Sequence, residues 1–273
     1  MTFNHGLKPS DELNNKGLMD TFRVAVSSGM RRSKYANALI LVSDHTKATY
    51  EDRWIGDVFH YTGMGLEGDQ SLDYAQNKTL NNSNTNGVTL YLFEVFLAGR
   101  YKYIGEVYLA GEPYEEIQPD KNGIPRTVYV FPLKVKEGQP EVIVPISELN
   151  AKEEFQERKA KRLSDEELKK RAKYAPKKPG TRPVSGSGFE RNAYVTEYAK
   201  RKANGICQLC NQPAPFKDKK GKPYLETHHI IWLANGGDDT IENTIAICPN
   251  CHRKMHSLNL PEDVRKLQQR AMS

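Results

Sequence analysis

The sequence predicts an α+β protein in which a β-rich N-terminal domain and a small C-terminal domain are joined by a basic helical linker. Three observations predict this class. β-Branched and aromatic residues concentrate in short runs before residue 136, whereas residues 152–182 are highly charged and residues 152–174 are helical in composition. All four cysteines then fall within residues 207–251, in two close pairs. A chain of 273 residues is long enough to bury the cores of two such domains.

The composition bounds the class of protein and its partners. Hydrophobic residues make up 38% of the chain and charged residues 27%, with a mean hydropathy of -0.69. No apolar run reaches the roughly 18 residues of a spanning helix, and residues 1–10 lack a secretory signal. We therefore expect no membrane partner and a cytoplasmic, intracellular protein of bacterial type. The net charge of +6 permits a polyanionic partner.

The N-terminal domain, assigned to residues 1–148, is predicted to be a small β-barrel or curved sheet. Its strand signals are dense in β-branched and aromatic residues, and they are residues 38–42, 88–96, 103–109 and 127–135. Turn-forming clusters, such as residues 119–123, separate them. Several short strands separated by turns are typical of such sheets.

A linker is predicted at residues 149–188. Residues 152–182 carry 12 Lys or Arg against 6 Asp or Glu. Ser164 and Glu167 predict a capping box at the start of a helix, and prolines and glycines after residue 175 end the helical pattern. Two interpretations stay open and can both hold, since such a charge run can be a solvated helix, an arm that contacts DNA, or both.

The C-terminal domain, residues 189–273, begins with a predicted helix at residues 189–204 and continues with a zinc-binding pattern. Two Cys-x-x-Cys pairs can supply four thiolates to one tetrahedral Zn²⁺, and they are Cys207, Cys210, Cys248 and Cys251. A closed four-cysteine shell leaves no position for water or substrate, so this zinc is predicted to be structural. A redox function suits a single pair, and the second pair argues against it.

Histidines supply the candidate chemistry, because four of the seven lie within residues 228–256. His228 and His229 end a predicted strand, so their imidazoles should point to opposite faces. His252 and His256 are four residues apart on a predicted helix, which puts both on one face. A lone histidine is usually a satisfied core residue, but this convergence favours a metal site.

These residues resemble the HNH nucleases of the ββα-metal type, and most closely the McrA-like HNH domains that also carry a four-cysteine zinc. The resemblance is carried by residues 226–231, 235–237, 242–244 and 248–252 together with His256. It covers about residues 189–260, with every part of the motif in order.

The HNH resemblance assigns a role to each matching position. His229 would be the general base that activates a water, and Asn243 would brace the loop that positions this base. His228 and His252 would ligate a catalytic divalent ion, with His256 as a third ligand. Mg²⁺, Mn²⁺, Co²⁺ and Ni²⁺ are all candidates, although a histidine-rich shell argues against a pure preference for Mg²⁺. The expected products carry 5′-phosphate and 3′-hydroxyl ends.

The N-terminal domain resembles the SRA domain, which flips a modified cytosine out of duplex DNA. The likeness is carried by residues 50–63, by Gly65, by residues 68–71, 76–78 and 80–87, and by residues 100–114. Lys78 and Arg100 are candidates for DNA phosphate contacts, with solvated surface as the equal alternative. Residues 82–87 form either a turn or a loop that fills the gap left by the flipped base.

The SRA resemblance also implies the residues of the base pocket. Tyr50 and Tyr61 would stack on the flipped base, while Asp52 and Thr62 would read its edge. The spacing between the tyrosines is one residue shorter than in the eukaryotic readers, which leaves Arg53 as the other candidate for the aspartate position. Ordinary barrel packing is the alternative role for both tyrosines.

An SRA domain joined to an HNH domain resembles the modification-dependent restriction endonucleases. The expected partner is therefore double-stranded DNA carrying 5-methylcytosine or 5-hydroxymethylcytosine, cut by a homodimer because a duplex break needs two nicks. The biological use would be restriction of foreign DNA. Two alternatives remain: a non-catalytic reader of modified DNA, and an HNH nuclease with no preference for modification.

Overall fold

The computed structural model of the chain describes residues 3–26, 29–47, 50–176, 180–186, 188 and 191–272. The protein forms two compact units, Met1–Gly186 and Ser187–Ser273. Both units mix helices and strands, which confirms the predicted α+β class. Over the described ranges, every helix is too short or too polar to cross a bilayer.

The first unit is built around one large sheet. Its strands are β1 (Glu12–Leu13), β2 (Met30–Ser33), β3 (Ala38–Asp44), β4 (Arg53–Ile55), β5 (Val58–Thr62), β6 (Thr89–Val95), β7 (Tyr101–Leu109), β8 (Tyr114–Pro119) and β9 (Pro125–Val135). Two helices lie between these strands in the chain, α1 (Asn15–Phe22), which Asn14 caps at the N-terminus, and α2 (Ala75–Asn81). The four predicted strand signals correspond to β3, β6, β7 and β9.

The strand order of this sheet is β2-β3-β6-β7-β9-β5-β4, with β1 paired to β7 and β8 paired to β9. The neighbours are antiparallel except β3 and β6, which run parallel. Within the described residues, no ladder joins the terminal strands β2 and β4. The sheet is therefore open, and the word barrel describes it only loosely.

Both faces of the sheet are covered, and β3 illustrates how. Leu39 and Leu41 face one apolar cluster, whereas Ile40 and Val42 face a second cluster that includes Phe22 of α1. This alternation follows from the two-residue period of a strand. Because the side chains on both faces of β3 are buried, its sequence is a continuous apolar run.

The segment predicted as a linker falls mostly in the first compact unit. It contains β10 (Val144–Pro145), α3 (Ile146–Ala160), α4 (Asp165–Lys173) and β11 (Val184–Ser185). The capping box predicted at Ser164 is present at the start of α4. Beyond α4, β11 pairs in parallel with β10, and the Thr181 amide donates to the Trp54 carbonyl at 2.8 Å. Residues 180–185 therefore pack on the first unit.

The second unit has a strand pair between helices. Its elements are α5 (Ala193–Ala203), β12 (Glu226–His229), β13 (Thr244–Ile247), α6 (Pro249–Leu258) and α7 (Pro261–Met272), with a 3₁₀ turn at Leu233–Asn235. The helix predicted from residue 189 begins at Ala193, and residues 189 and 190 lie outside the described residues. It ends where Asn204 and Gly205 both take positive φ, a left-handed stop.

Candidate functional site

The second unit brings three histidines together. His228 lies on β12, and His252 and His256 lie one turn apart on α6. Each offers a ring nitrogen within 4.8 Å of the others, and the two Nε2 atoms of His252 and His256 are 3.1 Å apart. A small cavity of about 180 Å³ opens beside them and is also lined by Arg191 and Trp232.

His228 has the properties of a metal ligand. Only 1% of the residue is exposed, and neither ring nitrogen has a hydrogen-bond partner among the described residues. A buried polar atom without a partner is costly unless an unseen group satisfies it. Burial and the nearby His252 and His256 lower the pKa of His228 to about 3, so the imidazole is neutral. Three imidazoles are a donor set that fits a divalent transition ion.

Glu226 is a residue of the site to which sequence reasoning assigned no role. Its Oε2 lies 2.6 Å from His252 Nδ1, so the carboxylate accepts the proton on that nitrogen and leaves Nε2 free towards His256. Carboxylates that orient metal-binding histidines in this way are common. The sequence did contain a signal for this role, because Glu226 and His228 are two positions apart on one strand and their side chains share a face.

Unlike its neighbour His228, His229 has a hydrogen-bond partner within the described ranges. Its Nε2 lies 2.8 Å from Asp239 Oδ1, and Asp239 Oδ2 accepts from the Asn192 amide at 2.6 Å. In the part of the chain that the structure describes, no hydrogen bond uses His229 Nδ1. With the proton held on Nε2 by Asp239, Nδ1 carries the lone pair that can accept a proton. Asp239 was not predicted.

Asn243 ties together the loop between β12 and β13. Its side-chain oxygen accepts from the Ile231 amide at 2.9 Å, and its amide nitrogen donates to the carbonyls of Ile231 and Asp238 at 2.9 and 2.8 Å. The loop also depends on Gly237, where an added Cβ would meet the Ile231 carbonyl oxygen at 2.0 Å. This geometry suits bracing, while the catalytic role of Asn243 stays a prediction.

The four predicted zinc ligands converge. Their sulfur atoms all lie within 4.8 Å of one another, and this set is Cys207, Cys210, Cys248 and Cys251. Cys248 begins α6 as its N-cap, so the second knuckle also fixes the start of the helix that carries His252 and His256. Four clustered thiolates are the donor set of a structural zinc.

A separate cavity of about 550 Å³ opens in the first unit. All four residues implied for the base pocket line it, and they are Tyr50, Asp52, Tyr61 and Thr62. The Tyr50 hydroxyl donates to the Gly65 carbonyl at 3.0 Å, which holds the ring at the cavity wall. The sequence therefore placed this group of residues around one space, although their roles stay predictions.

Asp52, and not Arg53, faces this cavity. The Asp52 carboxylate is 8% exposed, and its Oδ1 accepts from the Thr62 amide at 2.8 Å. Burial raises the pKa of Asp52, against the lowering effect of hydrogen bonds from Thr62 and Ser43. Arg53 instead forms an ion pair with Glu116.

Tyr61 is part of the core as well as the cavity wall. It is only 2% exposed, packs near Phe59, and donates its hydroxyl to the Gly29 carbonyl at 2.8 Å. Tyr61 therefore has the packing role that the sequence analysis gave as an alternative to base stacking. A Tyr61 substitution would disturb folding together with any base contact.

A buried ion pair lies behind the cavity. Glu94 of β6 is 1% exposed and accepts two hydrogen bonds from Arg182, at 3.0 and 2.8 Å. Its carboxylate also contacts His45 Nε2 at 2.9 Å and Trp54 Nε1 at 3.2 Å. Because His45 lines the cavity, the Glu94 carboxylate links Arg182 to the cavity wall.

The two proposed phosphate contacts have carboxylate partners. Lys78 lies 3.6 Å from Asp73, with both side chains mostly exposed. Arg100 pairs with Glu12 at 2.6 Å. Exposed pairs of this kind are weak, so neither pair prevents a phosphate contact or requires one.

Two family models match the chain. The ScoMcrA-like SRA domain model matches residues 11–154, and the HNH endonuclease model matches residues 207–258. The chain is also 44% identical over 80 residues to the type IV methyl-directed restriction enzyme EcoKMcrA of Escherichia coli (strain K12), which is 29% of each chain.

Two solved structures are similar at low identity. The type IV phosphorothioation-dependent restriction endonuclease ScoMcrA is 20% identical, with 97% of this chain and 63% of that chain covered and a TM-score of 0.41. The modification-dependent TagI restriction endonuclease is 19% identical, with 92% and 78% covered and a TM-score of 0.37. The SRA model alone spans more than half of the sequence, so the chain belongs to the family of ScoMcrA-like SRA-domain proteins, and it also carries an HNH endonuclease domain.

Proposed function

We propose that the protein is a modification-dependent DNA endonuclease. In this proposal the SRA domain binds a modified cytosine, 5-methylcytosine or 5-hydroxymethylcytosine, flipped from duplex DNA, and the HNH domain hydrolyses a phosphodiester bond. The observation that supports it best is His228, a buried imidazole beside His252 and His256 to whose two nitrogens no described residue forms a hydrogen bond. A domain that only clamped DNA would have no need of this arrangement.

The chemistry assigned to the second unit uses its own residues in distinct roles. His228, His252 and His256 would hold a divalent ion, which supplies positive charge to the scissile phosphate and the leaving 3′ oxygen when bound. His229 Nδ1 accepts a proton from the attacking water, and Asp239 stabilises the resulting imidazolium through Nε2. Mn²⁺, Co²⁺, Ni²⁺ and Mg²⁺ are the candidate ions.

The roles assigned to the first unit rest on the shape and polarity of its cavity. A volume of about 550 Å³ is in the range of small-molecule sites and accommodates a flipped base. Tyr50 would stack on the base and offset its lost stacking, and Asp52 would accept from the exocyclic amine of cytosine. Because two nicks are needed for a duplex break, we further propose that two copies of the chain act on one DNA.

A cleavage assay on one DNA prepared in three forms tests the proposal. Unmodified, 5-methylated and 5-hydroxymethylated duplexes are incubated with Mg²⁺, with Mn²⁺ or with EDTA. The proposal expects metal-dependent cutting confined to a modified form. Equal cutting of all three forms would refute the proposed recognition of modified cytosine but would support the nuclease function.

Two variants separate the domains in the same assay. His229→Ala should abolish cutting and keep binding, whereas Asp52→Asn should lose only the preference for modified DNA. Asp52→Asn is preferable to a Tyr61 variant, since asparagine keeps the volume and an oxygen for the Thr62 amide. Binding without cutting by the wild-type protein under every metal condition would favour the non-catalytic reader.

A further inference from the structure

A tight hairpin at residues 216–224, here named the lysine hairpin, separates the two zinc knuckles. The Asp218 amide donates to the Lys222 carbonyl at 2.8 Å, and the Gly221 amide donates back to the Asp218 carbonyl at 2.9 Å. The Asp218 carboxylate accepts from the amides of Lys220 and Lys222, at 2.8 and 3.0 Å. Backbone bonds and one aspartate therefore hold the hairpin without help from its lysine side chains.

The tip of the lysine hairpin is strongly basic. It carries four exposed lysines, Lys217, Lys219, Lys220 and Lys222. Asp218 is its only acidic residue, and the Asp218 carboxylate is occupied by backbone amides. Over the residues with described positions, none of the four lysines forms an ion pair with a carboxylate within 4.0 Å. Four charges in six residues thus remain available to an external anion.

The base of the lysine hairpin contacts the candidate active site. Phe216 and Tyr224 stack with ring centroids 4.6 Å apart and an interplanar angle of 17°. The Tyr224 hydroxyl donates to Glu226 Oε1 at 3.2 Å, and the other oxygen of Glu226 holds His252. The base of the hairpin is therefore connected to His252 of the histidine cluster through two hydrogen bonds and one carboxylate, that of Glu226.

We propose that the lysine hairpin binds phosphates of the duplex DNA that flank the scissile bond. The proposal rests on the nuclease function proposed above. Lysines act on phosphate as mobile point charges and read no sequence, so this contact should hold any duplex in the active site. Phe216 and Tyr224 stack on each other, which makes them a support for the hairpin and leaves the lysines as its binding groups.

The salt dependence of DNA binding tests this proposal, because each phosphate contact adds about 0.9 to the slope of log K against log salt. The full chain is used in a His229→Ala background, which prevents cutting. The hairpin variant replaces three lysines: Lys219→Ala, Lys220→Ala and Lys222→Ala. The control removes the same charge from three exposed lysines that are given no contact with DNA: Lys8→Ala, Lys16→Ala and Lys34→Ala. Fluorescence anisotropy on a short duplex between 50 and 200 mM KCl gives each slope.

We expect the hairpin variant to reduce the slope by about 2.7 if each lysine contacts one phosphate, on modified and unmodified duplex alike. The control should change the slope by less than the value of one phosphate contact. Zinc content monitors folding, and a second hairpin variant with glutamine at the three positions repeats the test. An unchanged slope, or an equal loss in the control, would overturn the proposal while DNA binding stands. A parent protein that binds no duplex would overturn the nuclease function along with it.

Discussion

Replacing Glu94 by glutamine tests whether a buried ion pair holds residues 180–185 to the first unit. The carboxylate is 1% exposed and accepts from Arg182, Trp54 and His45. Glutamine keeps the volume but removes the charge, so the guanidinium of Arg182, itself 10% exposed, remains buried without its counter-ion. Removing one partner of a buried pair typically costs about 3–5 kcal/mol.

The pKa of Glu94 gives a second value for this contribution. Burial raises the pKa, but Arg182 and His45 lower it by more, from 4.5 to about 2. At about 1.36 kcal/mol per pKa unit, this lowering corresponds to about 3 kcal/mol. Because the folded-state pKa is depressed, the contribution is fully present above pH 4.5 and is lost as the pH falls towards 2.

Calorimetric unfolding of the full chain measures the effect. At about 2–4 °C per kcal/mol for a unit of this size, Glu94→Gln should lower the Tm of the first unit by about 10 °C at pH 7. The transition of the first unit is recognised as the one that a zinc chelator leaves in place. Between pH 4.5 and 2 the difference from wild type should narrow, because only the wild type loses the ion pair.

Glu154→Gln is the matched control. Glu154 forms an exposed pair with Arg158 at 3.6 Å, and such pairs contribute little. A Glu94→Gln protein that unfolds within 2 °C of this control at pH 7 would refute the reasoning that residues 180–185 are held by the buried charge.

Three further outcomes are expected in the second unit. Glu226→Gln should weaken Mn²⁺ binding about 10- to 100-fold in isothermal titration, because His252 loses its orienting carboxylate; equal affinity would exclude that role. Gly237→Ala should destabilise the unit by about 1–3 kcal/mol in denaturant titrations, since its Cβ overlaps the Ile231 carbonyl; an unchanged midpoint would mean that the loop yields freely. Cys251→Ser should release zinc, measured by metal analysis, and full zinc retention would contradict a four-cysteine shell.

Much of the candidate site could be predicted from the sequence because its signals are short in range. The cysteines of each pair are three positions apart, and His252 and His256 are four positions apart, so both spacings fix geometry within about one turn of backbone. The capping box at Ser164 is similarly local. Strand propensity identified β3, β6, β7 and β9, whose buried β-branched and aromatic residues leave a strong compositional signal.

The decisive partners come from residues distant in the chain, and only the tertiary structure determined them. Asp239 reaches His229 across a loop, and Arg182 reaches Glu94 over 88 positions. The choice of Asp52 over Arg53 also depended on the fold, because side chains of adjacent residues leave a chain in different directions.

The sequence by itself therefore determined the classes of the two domains, the set of four clustered cysteines and the set of three clustered histidines. The fold decided that the large sheet stays open, that Tyr61 is core as well as cavity wall, and that residues 180–185 belong to the first unit. The physical reason is that burial and long-range pairing depend on which surfaces meet, whereas local spacing depends only on the backbone. In the sequence, a glutamate such as Glu94 cannot be distinguished from an exposed one. Only the tertiary packing shows that its carboxylate is removed from water and needs a buried partner.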